Sequence, residues 1–215
     1  MKILLVAATS AEIAPLIDQH GIGPHADSFT HGKHHVKVLI TGVGMVSTAF
    51  ALGQELAKNS YDLAINVGIA GSFDRSIPLG KVLHISDDTF AELGAEDANG
   101  FIPIDTLGFG TPYTHPLSPA FPLPFLESIQ KASAITVNKV HGHASSIAAT
   151  TANYPVQVES MEGAAFFYAC ARVELASIQL RAISNWVETR NRDAWNIPLA
   201  ISNLNQSLAQ LLSES

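Results

Sequence analysis

One cysteine, Cys170, stands in the 215-residue chain, so no intramolecular disulfide can form. Its neighbours Phe166, Phe167 and Tyr168 lie on a predicted helix, which makes it a buried structural thiol rather than a nucleophile. Basic residues are scarce as well. Twelve Lys and Arg against nineteen Asp and Glu leave a net charge of −7, which excludes nucleic acid as the main partner, because phosphate binding needs clustered cations. No apolar run reaches the roughly 20 residues that cross a bilayer, so no membrane partner is expected. The opening segment, residues 1–8, is too short for a secretory h-region with its cleavage site and reads as a first strand. A cytoplasmic location follows. A P-loop and a Gly-x-Ser-x-Gly elbow are both missing, which removes two common nucleotide and acyl-transfer chemistries.

What the chain has is a well-filled core, 47% hydrophobic with 14% charged residues. Apolar runs at 2–8, 34–41, 62–67, 82–86, 135–140 and 178–183 read as strands, several of them buried on both faces. Between them, 45–58, 125–132, 145–153, 163–172 and a stretch from about Pro198 read as helices, with Thr9 or Ser10 capping another that carries Glu12 in its first turn. The Gly- and Pro-rich stretch 97–124 reads as a long ordered loop, and such loops are usually functional. Strands alternate with helices and no linker interrupts them. The pattern predicts one α/β domain over 1–215 with a mixed, mostly parallel sheet.

The segment 156–165 carries the chemistry. An apolar strand runs into a turn, and Glu162 appears where a small-residue helix begins. Turns of this kind lie at the carboxyl edge of an α/β sheet, where such folds bind ligands. Glu162 at a helix start also suits ordinary capping, and both readings stand at this level. Three strand ends carry small residues: Gly42-Val43-Gly44, 68–72 and Gly142-His143-Ala144-Ser145. Gly42-x-Gly44-x-x-Ser47 half-resembles a dinucleotide fingerprint, but Asp62, twenty residues on, precedes its strand and belongs to the wrong sheet edge. His141 and His143 share one face of an extended segment without a third ligand at recognisable spacing, so they read as surface or pocket histidines.

With Glu12, Gly42-Val43-Gly44, Gly68-Ile69-Ala70-Gly71, Met161-Glu162 and Arg181-Ala182-Ile183-Ser184-Asn185 in this order, the chain resembles the nucleoside phosphorylase and nucleosidase superfamily over nearly its whole length. A narrower likeness is to hydrolases that free hypoxanthine from a nucleoside with an aromatic carboxylate tail. It rests on Leu93-Gly94-Ala95-Glu96-Asp97, Leu107-Gly108-Phe109-Gly110, Glu159-Ser160-Met161-Glu162-Gly163-Ala164-Ala165 and Ile183-Ser184-Asn185. The resemblance implies a three-layer sandwich, a small-molecule nucleoside substrate, no metal or organic cofactor, and a homo-oligomer, a dimer being favoured. It also implies roles. Glu12 matches the carboxylate that activates water, Glu162 the one that binds the ribose hydroxyls, and Met161 the residue that packs on the sugar. Asn185 stands where the adenine-specific methylthioadenosine nucleosidases carry an acid. Gly44, Ala70, Gly71, Ser145, Glu159 and Ser160 are the remaining expected substrate contacts.

Elementary chemistry runs the same way. Glycosidic cleavage passes through an oxocarbenium-like centre, which carboxylates stabilise. The departing purine gathers negative charge, which an amide can meet as a donor, whereas a carboxylate must first be protonated. Arg190 and Arg192 in the loop between Trp186 and Trp195 suit a substrate carboxylate, and equally a solvated surface loop. A hydrolytic nucleosidase, including the methylthioadenosine type, a phosphorolytic transferase and a non-catalytic nucleoside binder all remain compatible with these residues.

Overall fold

In the computed structural model, which describes residues 1–21, 27–98 and 100–214, the first strand, β1 (Lys2–Ala7), is buried on both faces. Ile3, Leu5 and Ala7 join one core cluster and Leu4 and Val6 the other, the period-two alternation of a strand inside a sheet. Helix α1 (Ser10–Gln19) follows its N-cap Thr9, and Glu12 in its first turn reaches back to the Thr9 N–H at 2.9 Å. Then come β2 (Ser28–His31), β3 (His34–Ile40), α2 (Met45–Leu56), β4 (Leu63–Ser72), β5 (Val82–Phe90), β6 (Gly94–Asp97), β7 (Gly100–Pro103) and β8 (Tyr113–Thr114). The chain ends through α3 (Pro124–Ser128), β9 (Lys131–Thr136), α4 (Ala144–Asn153), β10 (Val158–Ser160), α5 (Gly163–Arg172), β11 (Ser177–Trp186) and α6 (Ile197–Glu214).

The two clusters on either side of β1 define three layers. Ile13 and Leu16 of α1 and Leu204, Leu208 and Leu211 of α6 pack with Ile3, Leu5, Ile65 and Ile178. Leu52 of α2 and Phe166, Phe167 and Cys170 of α5 pack with Leu4, Val6, Leu83 and Ile85. Buried positions on α6 recur at spacings of three and four, a stripe that can face only one way, and each buried leucine contributes roughly 1.5–3 kcal/mol. Burial pushes the Cys170 thiol up to about 12, so it stays a protonated core residue.

The sheet runs β10-β9-β5-β11-β4-β1-β3-β2, with β8 beside β5. It is mixed. Strands β1–β3, β1–β4, β4–β11, β5–β9 and β9–β10 pair in parallel, and β2–β3, β5–β11, β5–β8 and β4–β10 antiparallel. Because β10 also pairs β4, strands β4, β11, β5, β9 and β10 close into a ring at one end of the sheet. That closure brings Ser160 at the end of β10 beside the carboxyl ends of β1, β4 and β11.

Some elements depart from the sequence pattern, each for a tertiary reason. The glycine-rich 68–72, read as a strand end, continues β4, because β11 pairs with it from Ser177↔Ala64 to Trp186↔Ser72. The helix expected over 125–132 stops at Ser128, since Lys131 and Ala132 pair with His84 and Ile85 of β5. The strand expected at 135–140 accordingly runs Lys131–Thr136. Edge strand β2, four residues of which only Phe29 is buried, carries no apolar run that would mark it in the sequence. The 97–124 loop contains β7, which pairs β6 in a hairpin, and β8, which adds to β5; Asn99 within that loop lies outside the described residues. Asp62 accepts a hydrogen bond from the Lys2 N–H at 2.7 Å, at the edge away from the cleft. Among the described residues no helix is long and apolar enough to cross a membrane.

Candidate active site

The ends of β1, β4, β10 and β11 enclose a cavity of about 330 Å³. Glu12, Ala70, Gly71, Glu159, Ser160, Met161, Glu162 and Asn185 line it together with Trp195 and Ile197. Gly44 stands at its rim through a bond to Glu162. Ser145 lies outside it, exposed on α4 with its Oγ 2.9 Å from His143 Nδ1.

Glu162 is the N-cap residue of α5, yet its side chain makes no capping bond. It turns into the cleft. Its Oε1 accepts from the Gly44 N–H at 3.1 Å, and its Oε2 accepts from Arg181 Nη1 at 3.3 Å. The Gly44 amide reaches the carboxylate from a backbone φ of +96°, which side chains rarely adopt. Arg181 is 1% exposed, and its other two nitrogens donate as well: Nε to Gln179 Oε1 at 2.9 Å and Nη2 to Asn66 Oδ1 at 2.6 Å. A buried guanidinium needs this compensation, and Glu162 is its charge partner.

Glu12 faces the same cavity from α1. Its Oε2 accepts from Thr9 N and Oγ1 at 2.9 and 3.1 Å, and its Oε1 accepts from the Ile69 N–H at 3.2 Å. A Cβ at Gly68 would meet both this carboxylate and the Arg181 guanidinium, so the bare backbone lets the two groups converge above β4. Asn205 of α6 steadies the turn from outside, accepting from Leu16 N at 3.2 Å and donating to the Glu12 carbonyl at 2.8 Å.

Asn185 follows an irregularity in the β4–β11 register between Ile183 and Asn185, a device that commonly re-aims side chains beside active sites. Its Oδ1 accepts from Ser184 Oγ at 2.9 Å and its Nδ2 donates to the Trp186 carbonyl at 3.1 Å. Glu159, 3% exposed, accepts from the His141 N–H at 2.9 Å and from its Nδ1, while His141 Nε2 meets Thr150 Oγ1 at 2.8 Å. Burial raises the Glu159 carboxyl above its ordinary range, and the two His141 bonds oppose that rise. Beneath the cleft, Asp88 is wholly buried between Thr136 Oγ1 at 2.8 Å and Gln179 Nε2 at 3.1 Å. Burial pushes it up to about 6, against the pull of those donors and of Arg181.

The sequence pattern gives Asn66, Gln179, Asp88 and Asn205 no role, and Arg181 enters it only as part of a motif, while His141, expected as a surface or pocket histidine, lies against Glu159 of the cavity wall. The available signal was polarity in the wrong place. Gln179 and Arg181 interrupt the apolar run 178–183, and Asn66 interrupts 62–67, where an unpartnered polar group would be costly.

Fold and cleft together define a three-layer α/β protein with a carboxylate-lined cavity at its strand ends. The chain belongs to the phosphorylase superfamily, whose sequence model matches residues 2–213. It is 36% identical over 186 residues to the futalosine hydrolase of Streptomyces coelicolor, covering 81% of this chain and 77% of that one. To the futalosine hydrolase of Acidothermus cellulolyticus it is 32% identical over 228 aligned positions, covering 98% and 90%. Solved structures share the fold. The methylthioadenosine/S-adenosylhomocysteine nucleosidase of Streptococcus pneumoniae superposes with a TM-score of 0.82 at 22% identity, covering all of both chains. The futalosine hydrolase of Helicobacter pylori gives 0.81 at 15% identity, covering all of this chain and 98% of that one.

Proposed function

We propose that the chain is a cytoplasmic, single-domain futalosine hydrolase, cleaving futalosine with water to hypoxanthine and dehypoxanthine futalosine on the futalosine route to menaquinone. One observation carries this reading: three carboxylates, those of Glu12, Glu159 and Glu162, and the Asn185 amide face a single cavity whose lining includes no Lys, Arg or His among the described residues. Glu162 accepts the ribose hydroxyls and sets negative charge near the developing cation. Met161 packs on the sugar. Glu12, fixed by three N–H and O–H donors, takes a proton from the attacking water. The water oxygen bonds to the anomeric carbon as the C–N bond breaks, and that electron pair goes to the purine, where Asn185 donates to the N7 and O6 edge. Arg190 and Arg192, which stack over Trp195 at 5.5 and 6.0 Å, stand where an aromatic carboxylate tail would emerge from the cavity.

Phosphorolysis on the same fold is the competing reading. A phosphate dianion needs cations or free amides at the sugar. Glu12 would repel it, and Arg181 is already spent on Glu162, Gln179 and Asn66. A homodimer accompanies the proposal. An apolar hollow of about 450 Å³ between α2 and α5, lined by Met45, Val46, Phe90, Leu93 and Tyr168, lies beside Phe50, 67% exposed, and Val43, which reaches the cavity. The test is incubation of purified protein with futalosine, with and without phosphate, while its mass is followed by sedimentation. Phosphate-independent hypoxanthine release from a dimer is expected. A ribose 1-phosphate product would overturn hydrolysis, and a monomer active at micromolar concentration would overturn the dimer.

A further inference from the structure

Asn205 is an amide in an apolar seam. Around it, Ile13 and Leu16 of α1 pack with Leu204, Leu208 and Leu211 of α6. The residue is 6% exposed, and a leucine would fill such a seam with no hydrogen bond to satisfy. Its bonds are specific. Oδ1 accepts from the Leu16 N–H at 3.2 Å, and Nδ2 donates to the Glu12 and Ile201 carbonyls, each at 2.8 Å. Both amide hydrogens are used, and the amide turned over would set Nδ2 against an N–H and Oδ1 against two carbonyls. The side chain is therefore held in one orientation.

The Leu16 N–H and the Glu12 carbonyl are the i and i−4 groups that an α-helix joins to each other. Asn205 bonds both members of that pair, so a side chain of α6 is built into the backbone of α1. The neighbouring residue gives the reason. Pro15 stands inside α1. It has no N–H to offer the Ala11 carbonyl, and its ring crowds that carbonyl. The turn weakened in this way, 11–15, is the one that carries Glu12. Ile201, the third partner of the amide, lines the cavity together with Glu12. One buried amide thus ties two walls of the cavity to each other.

We infer that Asn205 is a positioning residue for the water-activating base: it braces the turn that Pro15 weakens and so sets where Glu12 presents its carboxylate. The inference rests on the nucleosidase reading and deepens it. Thr9 and Ile69 hold the carboxylate end of Glu12, and Asn205 holds its backbone end. A reacting group misplaced by about 1 Å lowers the rate on the order of 10²-fold. Asn205 itself lies outside the cavity lining, so its effect on the chemistry passes through Glu12. The loss should accordingly fall on kcat and leave KM nearly alone.

A double-mutant cycle tests this role. Asn205→Leu keeps the seam apolar and removes all three bonds. In the otherwise unaltered enzyme it should lower kcat for futalosine about 10–100-fold, with KM changed less than about threefold. In a Glu12→Gln background, where the base is already gone, the same substitution should lower kcat less than about threefold. A residue that merely holds α6 against α1 would lower both backgrounds by one factor, and that result overturns the inference. Asn205→Asp, close to the native shape, keeps the Leu16 bond and loses the donation to the Glu12 carbonyl. Its kcat should fall at least about tenfold, and an unchanged kcat overturns the inference even if the leucine variant does not fold. An unaltered protein that releases no hypoxanthine overturns the hydrolase reading and this role with it, whereas equal factors in an active enzyme overturn the role alone.

Discussion

Glu162 and Asp88 are both buried acids at the N-terminus of α5, yet they live in different worlds. Glu162 meets a backbone N–H and a guanidinium and opens onto the cavity. Asp88 meets a hydroxyl and a neutral amide, lies outside the lining of this cavity, and is pushed up to about 6 by burial. Arg181 links them, bonding Glu162 directly and Asp88 through Gln179. One buried cation therefore serves a carboxylate that faces the cavity above and an enclosed one below. The difference shows that burial alone does not mark a catalytic acid; the donors around it and the open space in front of it do.

The largest effect should come from breaking the upper half of this pair. Glu162→Ala removes two hydroxyl contacts at roughly 1.5–3 kcal/mol each and the charge beside the developing cation, so kcat/KM for futalosine should fall about 10⁴-fold. The pairing with Arg181 adds a consequence that the sequence did not reveal. An uncompensated buried guanidinium should cost about 3–5 kcal/mol of stability, visible in urea denaturation. Near-normal turnover in the variant would mean that Glu162 serves only the buried ion pair.

Glu12→Gln comes next. It keeps an oxygen for Ile69 N or Thr9 and holds its place in the cavity, but it cannot take a proton from water. The expected result is a fall in kcat of about 10²–10⁴-fold with KM changed only a few-fold. Steady-state kinetics at saturating futalosine decide it, and an unaltered kcat would move water activation to another group.

Much of this arrangement was legible in the chain because it follows from local pattern. The continuous run 2–8 announced a central strand, and 163–172 matches α5 to the residue. The strand-to-helix turns placed Glu12 and Glu162 at one sheet edge. What the pattern did not convey was pairing between distant strands. The β4–β10 contact that closes the ring, and sets Glu159 abreast of Asn185, joins residues nearly ninety positions apart and leaves no periodic trace. For the same reason 68–72 read as the end of a strand, although β11 pairs along all of it and β10 along Gly71 and Ser72. Arg181 and Gln179 looked like flaws in an apolar strand, and only their partners on other strands explain them.

Asp88→Asn should give the smallest effect, and it tests the lower half of the comparison through its sign. The folded carboxyl titrates near 6, above its ordinary 3.8, with burial as the main cause. Between those values the native protein holds a proton that the unfolded chain has released. Its contribution to stability is thus greatest below about pH 4, declines as pH rises to about 6, and is flat beyond. Other carboxylates titrate in the same range, so the informative quantity is the difference between the unaltered protein and the variant. Asparagine has no proton to lose, and that difference should shift by about 2–3 kcal/mol against the unaltered protein between pH 4 and 7. Urea denaturation of both proteins at pH 4, 5, 6 and 7 measures it. Parallel curves would show that Asp88 keeps an ordinary carboxyl despite its burial, with Arg181 serving it as directly as it serves Glu162. A convergence that stops near pH 6 would confine the Arg181 charge to the cleft, where Glu162 uses it.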